Sequence, residues 1–432
     1  MQVQDTNHEI HVEKDINIHL ENKKVSMHFF WFIWFIYAIV SMTKNCFSAA
    51  MADIVEQGIM IKSQTELITS IFYVFYTPMQ IVGGILSDKF SPEKMIKIGL
   101  IGAAVSNAVI FFFSESYPVM MAAWIFNAII QFGVWPGIFK IVSSQCVRSE
   151  RPKMLFLISL SFTAGLFLSY GLGAVLTDWR MNFSISAISL IALAIALHFY
   201  DKHIDKYMKW DRVEVQNASA QPGNDGKTMS TMKLFWSSGF IILLLVIVLR
   251  DSLTTIVRRI AATMLNETFE VGASVGTLMS MLIVATSIVG FVIAHEMLQH
   301  RVIKNYVKGI IVGLACALVI AVLFVFAKNL AANVISMCLI AGITTATSLF
   351  TTRINSIYVK YGKNATAAGL ANAASACGYV APFIAVLIQE QSGSWQSVKL
   401  LLIGVAIAGV ISTVCALPLY SRFMRREKAE NV

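Results

Sequence analysis

Residues 28–54 read HFFWFIWFIYAIVSMTKNCFSAAMADI. From His28 to Thr43 the run carries no lysine, arginine or acidic residue; Lys44 then interrupts it before apolar sequence resumes. About 20 apolar residues in a helix cross the hydrocarbon core of a bilayer, so this stretch is predicted to be a membrane span. Residues 234–264, LFWSSGFIILLLVIVLRDSLTTIVRRIAATM, repeat the pattern, with Arg250 at the corresponding depth. A fixed charge at that depth costs about 2.5–3.5 kcal/mol even on the lenient insertion scale. Two cations so placed are expected to serve a function, and holding an anion in a polar cavity is the use that fits them.

The rest of the chain has the same character. Of 432 residues 56% are hydrophobic and only 14% charged, against about 25% charged in soluble domains. Mean hydropathy is +0.68. An aqueous fold cannot hide so much apolar surface, so the chain is read as an integral membrane protein. Its runs lack the alternating ten-residue pattern of a membrane barrel, which leaves an all-α fold. Runs and breakers divide it into twelve transmembrane helices, at 28–54, 65–86, 94–114, 118–146, 153–177, 181–200, 234–264, 270–297, 302–328, 330–352, 364–389 and 396–420. The polar stretch 201–233 splits them six and six. The expected organisation is an N-terminal segment 1–27, a six-helix bundle 28–200, a linker 201–233, a second bundle 234–420 and a tail 421–432. Within the linker, DKHIDKYMKWDR (201–212) is read as a surface helix and NASAQPGNDGK (217–227) as a flexible tether.

Loop lysines and arginines mostly follow even-numbered spans, whereas the odd-numbered loops carry Lys62, Arg180, Lys328 and little else. The positive-inside rule then puts both termini and the linker in the cytoplasm, with the chain in the cytoplasmic membrane. The net charge of +9 is accordingly an orientation signal and implies no nucleic acid. Residues 1–27 show no cleavable signal pattern, so the first span is expected to be retained. Six cysteines are scattered singly without a CxxC pair, which argues against disulfides and structural zinc. HEMLQH (295–300) only approximates a zinc-protease motif. Its histidines lie about 140° apart around a helix and cannot share a metal in that manner. No GxxxxGK[ST] loop and no catalytic constellation occur, so a non-enzyme without cofactor is expected, and it is taken to act as a monomer.

Helical geometry puts Tyr37, Ser41, Lys44 and Ser48 on one polar stripe, which is expected to face a cavity. Arg250 and Thr254 share a face of span 7; Asp251, Thr255, Arg258 and Arg259 form an adjoining one. The competing reading pairs Lys44 with Asp53 or Glu56, and Arg250 with Asp251. Asp53 lies on the opposite side of the same helix from Lys44. Adjacent residues point about 100° apart and are expected to pair poorly. Substrate contact is therefore assigned to Tyr37, Ser41, Lys44, Arg250 and Thr254. Asp251 is read as a protonatable coupling group or as the counter-ion of Arg258. Lys140 is a gating candidate that snorkelling would also explain. Arg258 and Arg259 are expected near the outer end, attracting anions or anchoring the interface.

GGILSDKFSPEK (83–94) resembles the signature loop of the major facilitator superfamily, where Asp88 would belong to a conformational latch. A closer resemblance covers most of the chain. TKNCFSAAMADIVEQG (43–58), Trp135-Pro136, Glu150-Arg151 and KNATAAGLANAASACGYVA (363–381) are similar to segments of the organophosphate:phosphate antiporter branch. That resemblance puts Lys44 and Arg250 at the branch's two substrate-binding arginines. It implies two six-helix bundles around a central cavity, working by rocker-switch alternating access. Coupling would be exchange against phosphate or symport with H+ or Na+. The branch's second tyrosine is Ser41 here, its lysine is Asn45, its span-five histidine is Phe162, and its span-seven acid is Thr255. Lysine cannot grip phosphate bidentately as arginine does. The pattern thus implies an organic anion, with carboxylates as compatible as phosphates. The alternative is a transporter-like membrane sensor that binds an organic anion and signals without moving it.

Overall fold

In the computed structural model of the protein the described residues are 16–20, 22–204, 206, 208–212, 231–300, 302–303, 305–361 and 364–429. Among them twelve helices are long and apolar enough to cross a membrane. Spans 1 to 6 are Lys23–Glu56, Lys62–Gly84, Pro92–Phe112, Tyr117–Lys140, Lys153–Val175 and Arg180–Ile204. Spans 7 to 12 are Phe240–Phe269, Ala273–Gln299, Tyr306–Phe326, Leu330–Ile354, Gly369–Ser392 and Trp395–Glu427. The all-α reading and the number and order of spans agree with the sequence; the ends move. Span 7 starts at Phe240 because Gly239 adopts φ 75, which separates it from a short helix at Thr231–Ser237. Around 83–94 the helix of span 2 continues to Lys89, and Pro92 opens the next one. The expected latch is thus the last turn of a helix. The side chain of Asp88 lies outside the described residues.

Each bundle buries its own apolar core. In the first, span 1 packs on span 5 and span 3 on span 6. In the second, span 7 is central and touches spans 8, 10, 11 and 12. Small residues set the closest approaches, as expected where helices pack without a hydrophobic drive between them. A Cβ on Gly165 would lie 2.1 Å from the carbonyl oxygen of Ala38 and 2.6 Å from Ser41 Cβ. A Cβ on Gly290 would lie 2.1 Å from the carbonyl oxygen of Gly342.

One element differs in kind. The sixth span ends at Ile204, and residues 208–212 form a strand where a surface helix was expected. This strand, β2 (Met208–Arg212), pairs antiparallel with β1 (Ile16–Leu20), Ile16 opposite Arg212 and Leu20 opposite Met208. Both strands, INIHL and MKWDR, begin with apolar and polar residues in alternation, the period of a strand. The lysines and aspartates around them obscured that signal.

The two halves meet most firmly at the end away from this sheet, called here the far end. Lys62 pairs with Glu267 at 3.0 Å, the amide N–H of Ser63 donates to Glu390 Oε1 at 3.0 Å, and Asn266 donates to Glu56 at 3.3 Å. Span 5 packs along span 8, and span 2 along span 11. Because Gly165 leaves no room beside Ala38, Gly165→Leu is expected to overpack the span 1–span 5 seam. The cost should be about 1–3 kcal/mol, typical of a forced core insertion. A lowered melting temperature of the purified protein in detergent checks it; an unchanged one contradicts the packing described.

Candidate functional site

A cavity of about 430 Å³ lies between the halves. Span 1 contributes Tyr37; span 2 contributes Tyr73, Tyr76 and Gln80; spans 4 and 5 contribute Trp135 and Phe162; span 11 contributes Asn372, Ser375 and Tyr379. From Tyr73 and Tyr379 it reaches Ile81 and Gly369, toward the sheet-bearing end. Three broken helices border it. Span 1 is interrupted at Asn45, between helices Lys23–Lys44 and Cys46–Glu56. Span 4 passes through a tight turn at Gln131–Gly133 before Val134–Lys140, which contains Pro136. Span 11 breaks between Asn364–Gly378 and Ala381–Ser392, with Pro382 in the first turn of the second piece. Irregular backbone within a membrane is tolerated where protein or a polar cavity satisfies it. At the first break, Asn45 Nδ2 donates to the carbonyl of Ser41 at 2.7 Å, a capping role for a residue at which the sequence departs from the branch it resembles.

Lys44 is 2% exposed. Its Nζ donates to Tyr76 Oη at 2.9 Å and lies 4.2 Å from the Tyr76 ring centroid and 5.5 Å from that of Tyr37. No carboxylate of a described residue comes within ion-pair distance of it, and Glu56 instead accepts from Asn266. A ring face contributes about 0.5–2 kcal/mol to a cation, far less than burying a charge costs. Tyr37 packs against Trp135, ring centroids 4.7 Å apart and planes tilted by 35°, so the wall beside Lys44 is aromatic. Ser41 turns elsewhere: it is fully buried against Gly165, and its hydroxyl has no described hydrogen-bond partner.

Arg250 behaves differently from the expectation. It grips Asp251, Nη2 lying 2.6 and 2.7 Å from the two carboxylate oxygens and Nε 2.9 Å from Oδ1. Adjacent Cβ vectors do diverge, but the long arginine stem swings the planar fork onto the carboxylate. Arg250 Nη1 donates to Thr351 Oγ1 at 2.7 Å, and Ser375 of the cavity wall donates to Asp251 Oδ2 at 2.5 Å. The cation therefore stands behind the wall with its charge answered. Thr254 donates to the carbonyl of Arg250 in its own helix, and Thr255 to that of Gly378 in span 11. Lys140 closes the second helix of span 4, half-buried.

Sequence reasoning missed a buried ion pair between the halves. Glu66 of span 2, fully buried, lies 2.6 Å from Arg259 of span 7, itself 6% exposed at the side chain. Arg259 Nη1 also donates to the carbonyl of Tyr379, the residue that breaks span 11. Beside this pair Tyr73 stacks on Tyr379 across the interface at 4.2 Å. Arg259 is thus an interface clamp within the protein, well inside the helix end at Phe269. The sequence signal was a glutamate one turn inside an apolar run, TELITSIFYVFY, with a lone arginine pair in span 7 to answer it.

A sequence model of the Major Facilitator Superfamily matches residues 33–381, and the chain belongs to that family. Among individual proteins it is similar to the membrane sensor protein UhpC of Escherichia coli K12, 27% identical over 164 residues. That alignment covers 37% of each chain. It is also similar to a probable hexose phosphate transport protein of Chlamydia trachomatis, 26% identical over 174 residues, 40% of this chain and 38% of that one. The matches thus span well under half of these relatives. In fold the chain is similar to a bacterial homologue of the human lysosomal transporter Spinster, at TM-score 0.67 and 13% identity over 92% of this chain and 97% of that one. The nucleoside transporter NupG gives TM-score 0.64 at 12% identity, covering 89% and 99%.

Removing one partner of a buried ion pair leaves the other uncompensated, at about 3–5 kcal/mol. Glu66→Ala should therefore destabilise the protein by that order. Replacing both partners, Glu66→Leu with Arg259→Met, should cost less than the single change. Thermal melts of the three proteins in one detergent check this, and equal melting temperatures would contradict it.

Proposed function

We propose that this protein is a secondary active transporter that carries a small organic anion across the cytoplasmic membrane by alternating access. The observation that carries the reading is Lys44. It is a buried cation held by one tyrosine hydroxyl and two ring faces, beside a cavity between two pseudo-symmetric halves. A charge left so poorly answered is expensive unless an anion completes it. Tyr37 and Tyr76 position the ammonium and supply hydroxyls to a bound acid group. The charge distribution of the loops makes the sheet-bearing end cytoplasmic. The cavity then faces the cytoplasm, and the Glu66–Arg259 clamp closes the outside. Anion binding draws the halves together around the cavity. The far-end contacts must part for the site to open outward.

The relatives' names favour an organic phosphate, whereas Lys44 and Phe162 accept a carboxylate equally well. Coupling is by exchange against phosphate or by symport with H+ or Na+, with Asp251, which accepts from Ser375 of the wall, as the coupling carboxylate. The similarity to a membrane sensor supports a second reading, ligand binding without flux, in which the paired N-terminal segment and linker would meet a signalling partner.

The test is transport by the purified full chain in liposomes, with labelled organic phosphates and carboxylates. Lys44→Gln removes a charge-assisted contact, and uptake at low substrate should fall roughly tenfold or more. Uptake equal to the parent's would overturn the anion site. Saturable binding with no uptake or exchange would select the sensor reading.

A further inference from the structure

Arg258 is a second interior cation that no described carboxylate approaches within ion-pair distance, and it lies in the half opposite Lys44. Its guanidinium rests on neutral hydroxyls, Nε donating to Ser287 Oγ of span 8 at 3.3 Å and Nη2 to Thr345 Oγ1 of span 10 at 2.7 Å. Nη1 makes no hydrogen bond to a described residue, and the side chain is only half-buried. Eleven residues separate Arg258 from the end of the helix at Phe269, roughly 16 Å of rise, so it sits at depth and does not anchor the interface. On the helix it continues the stripe of Asp251 and Thr255, which meets span 11 at Gly378 and at Ser375, the latter in the wall of the cavity. The titratable groups around it are Tyr379, which lines that cavity, together with Asp251, Tyr170 and Arg250.

The interior cations of the central helices therefore fall into two kinds. Arg250 is answered by Asp251 and Arg259 by Glu66. Lys44 has one hydroxyl and two ring faces, and Arg258 has hydroxyls alone. A cation held by neutral donors and acceptors alone retains most of its desolvation cost, and an incoming anion relieves it.

We propose that Arg258, and not Arg250, is the cation with which the second half holds the transported anion. The inference rests on the anion-transport reading above. Lys44 from one half and Arg258 from the other meet an oxyanion group, a carboxylate or a phosphate. The planar guanidinium supplies the bidentate grip that Lys44 lacks. Arg250 and Asp251 act as a closed pair that fixes Ser375 and the broken part of span 11.

The experiment measures stabilisation of the detergent-purified full chain by succinate and, separately, by glycerol 3-phosphate. It compares the parent with Lys44→Gln, Arg250→Gln, Arg258→Gln and Arg258→Lys. A ligand that binds only the folded state raises the melting temperature with its concentration, which yields an apparent affinity. Lys44→Gln and Arg258→Gln are each expected to weaken binding about tenfold or more, and Arg250→Gln less than either. Arg258→Lys keeps the charge and guards against a folding defect in Arg258→Gln. It should retain weakened binding and lose more for the ligand that needs the fork, which tells the carboxylate from the phosphate. Arg258 variants that bind like the parent, while Lys44→Gln loses the ligand, overturn the role of Arg258 and leave the anion site standing. If Lys44→Gln also binds like the parent, or neither probe stabilises the parent, the transport reading falls with it.

Discussion

A charge inside a membrane bundle has to be answered by something the protein carries, because neither lipid nor bulk water is there to do so. That constraint orders the centre of this molecule. Glu66 and Arg259 answer each other and hold spans 2 and 7 together. Asp251 answers Arg250 and presents its second oxygen to Ser375. Lys44 and Arg258 are left with hydroxyls and ring faces. The cavity lies among these groups, so its electrostatics follow from which pairs are closed and which are not.

The backbone is arranged to the same end. Spans 1, 4 and 11 lose their regular helix beside the cavity, at Asn45, at Gln131–Gly133 and after Gly378. A continuous helix hides its amides and carbonyls, whereas a broken one turns some of them and their neighbours inward. Tyr379, at the third break, serves three purposes: its ring stacks on Tyr73, its carbonyl accepts from Arg259, and it lines the cavity. A movement that parts the halves at the far end must disturb this residue, which ties the clamp to the wall of the site.

Much of this was legible in the sequence. Twelve apolar runs, their division six and six, and the depth of Lys44 and Arg250 all follow from hydropathy and charge. Tyr37 was placed by helical spacing, and Trp135 and Phe162 by resemblance. What escaped depends on side-chain reach and on contacts between distant helices. The stripe through Ser41 is regular in spacing, yet Gly165 approaches there and takes that side chain into the packing seam. Arg250 was set 100° away from Asp251 by helical geometry, but its flexible stem closes the gap. Glu66 and Arg259 are 193 residues apart in the chain, and no local pattern pairs them.

The small antiparallel sheet has a mechanical consequence. By joining residues 16–20 to residues 208–212, it fastens the beginning of the linker to the segment that precedes span 1. The first half then carries the chain with it as far as Arg212. The described chain leaves the sheet at Arg212 and resumes with the helix that begins at Thr231. Fully stretched, the chain between them reaches roughly 60 Å. The chain length left to join the two bundles is thus shorter than the polar stretch as a whole, and its starting point is set by ladder hydrogen bonds as well as by the end of the sixth span.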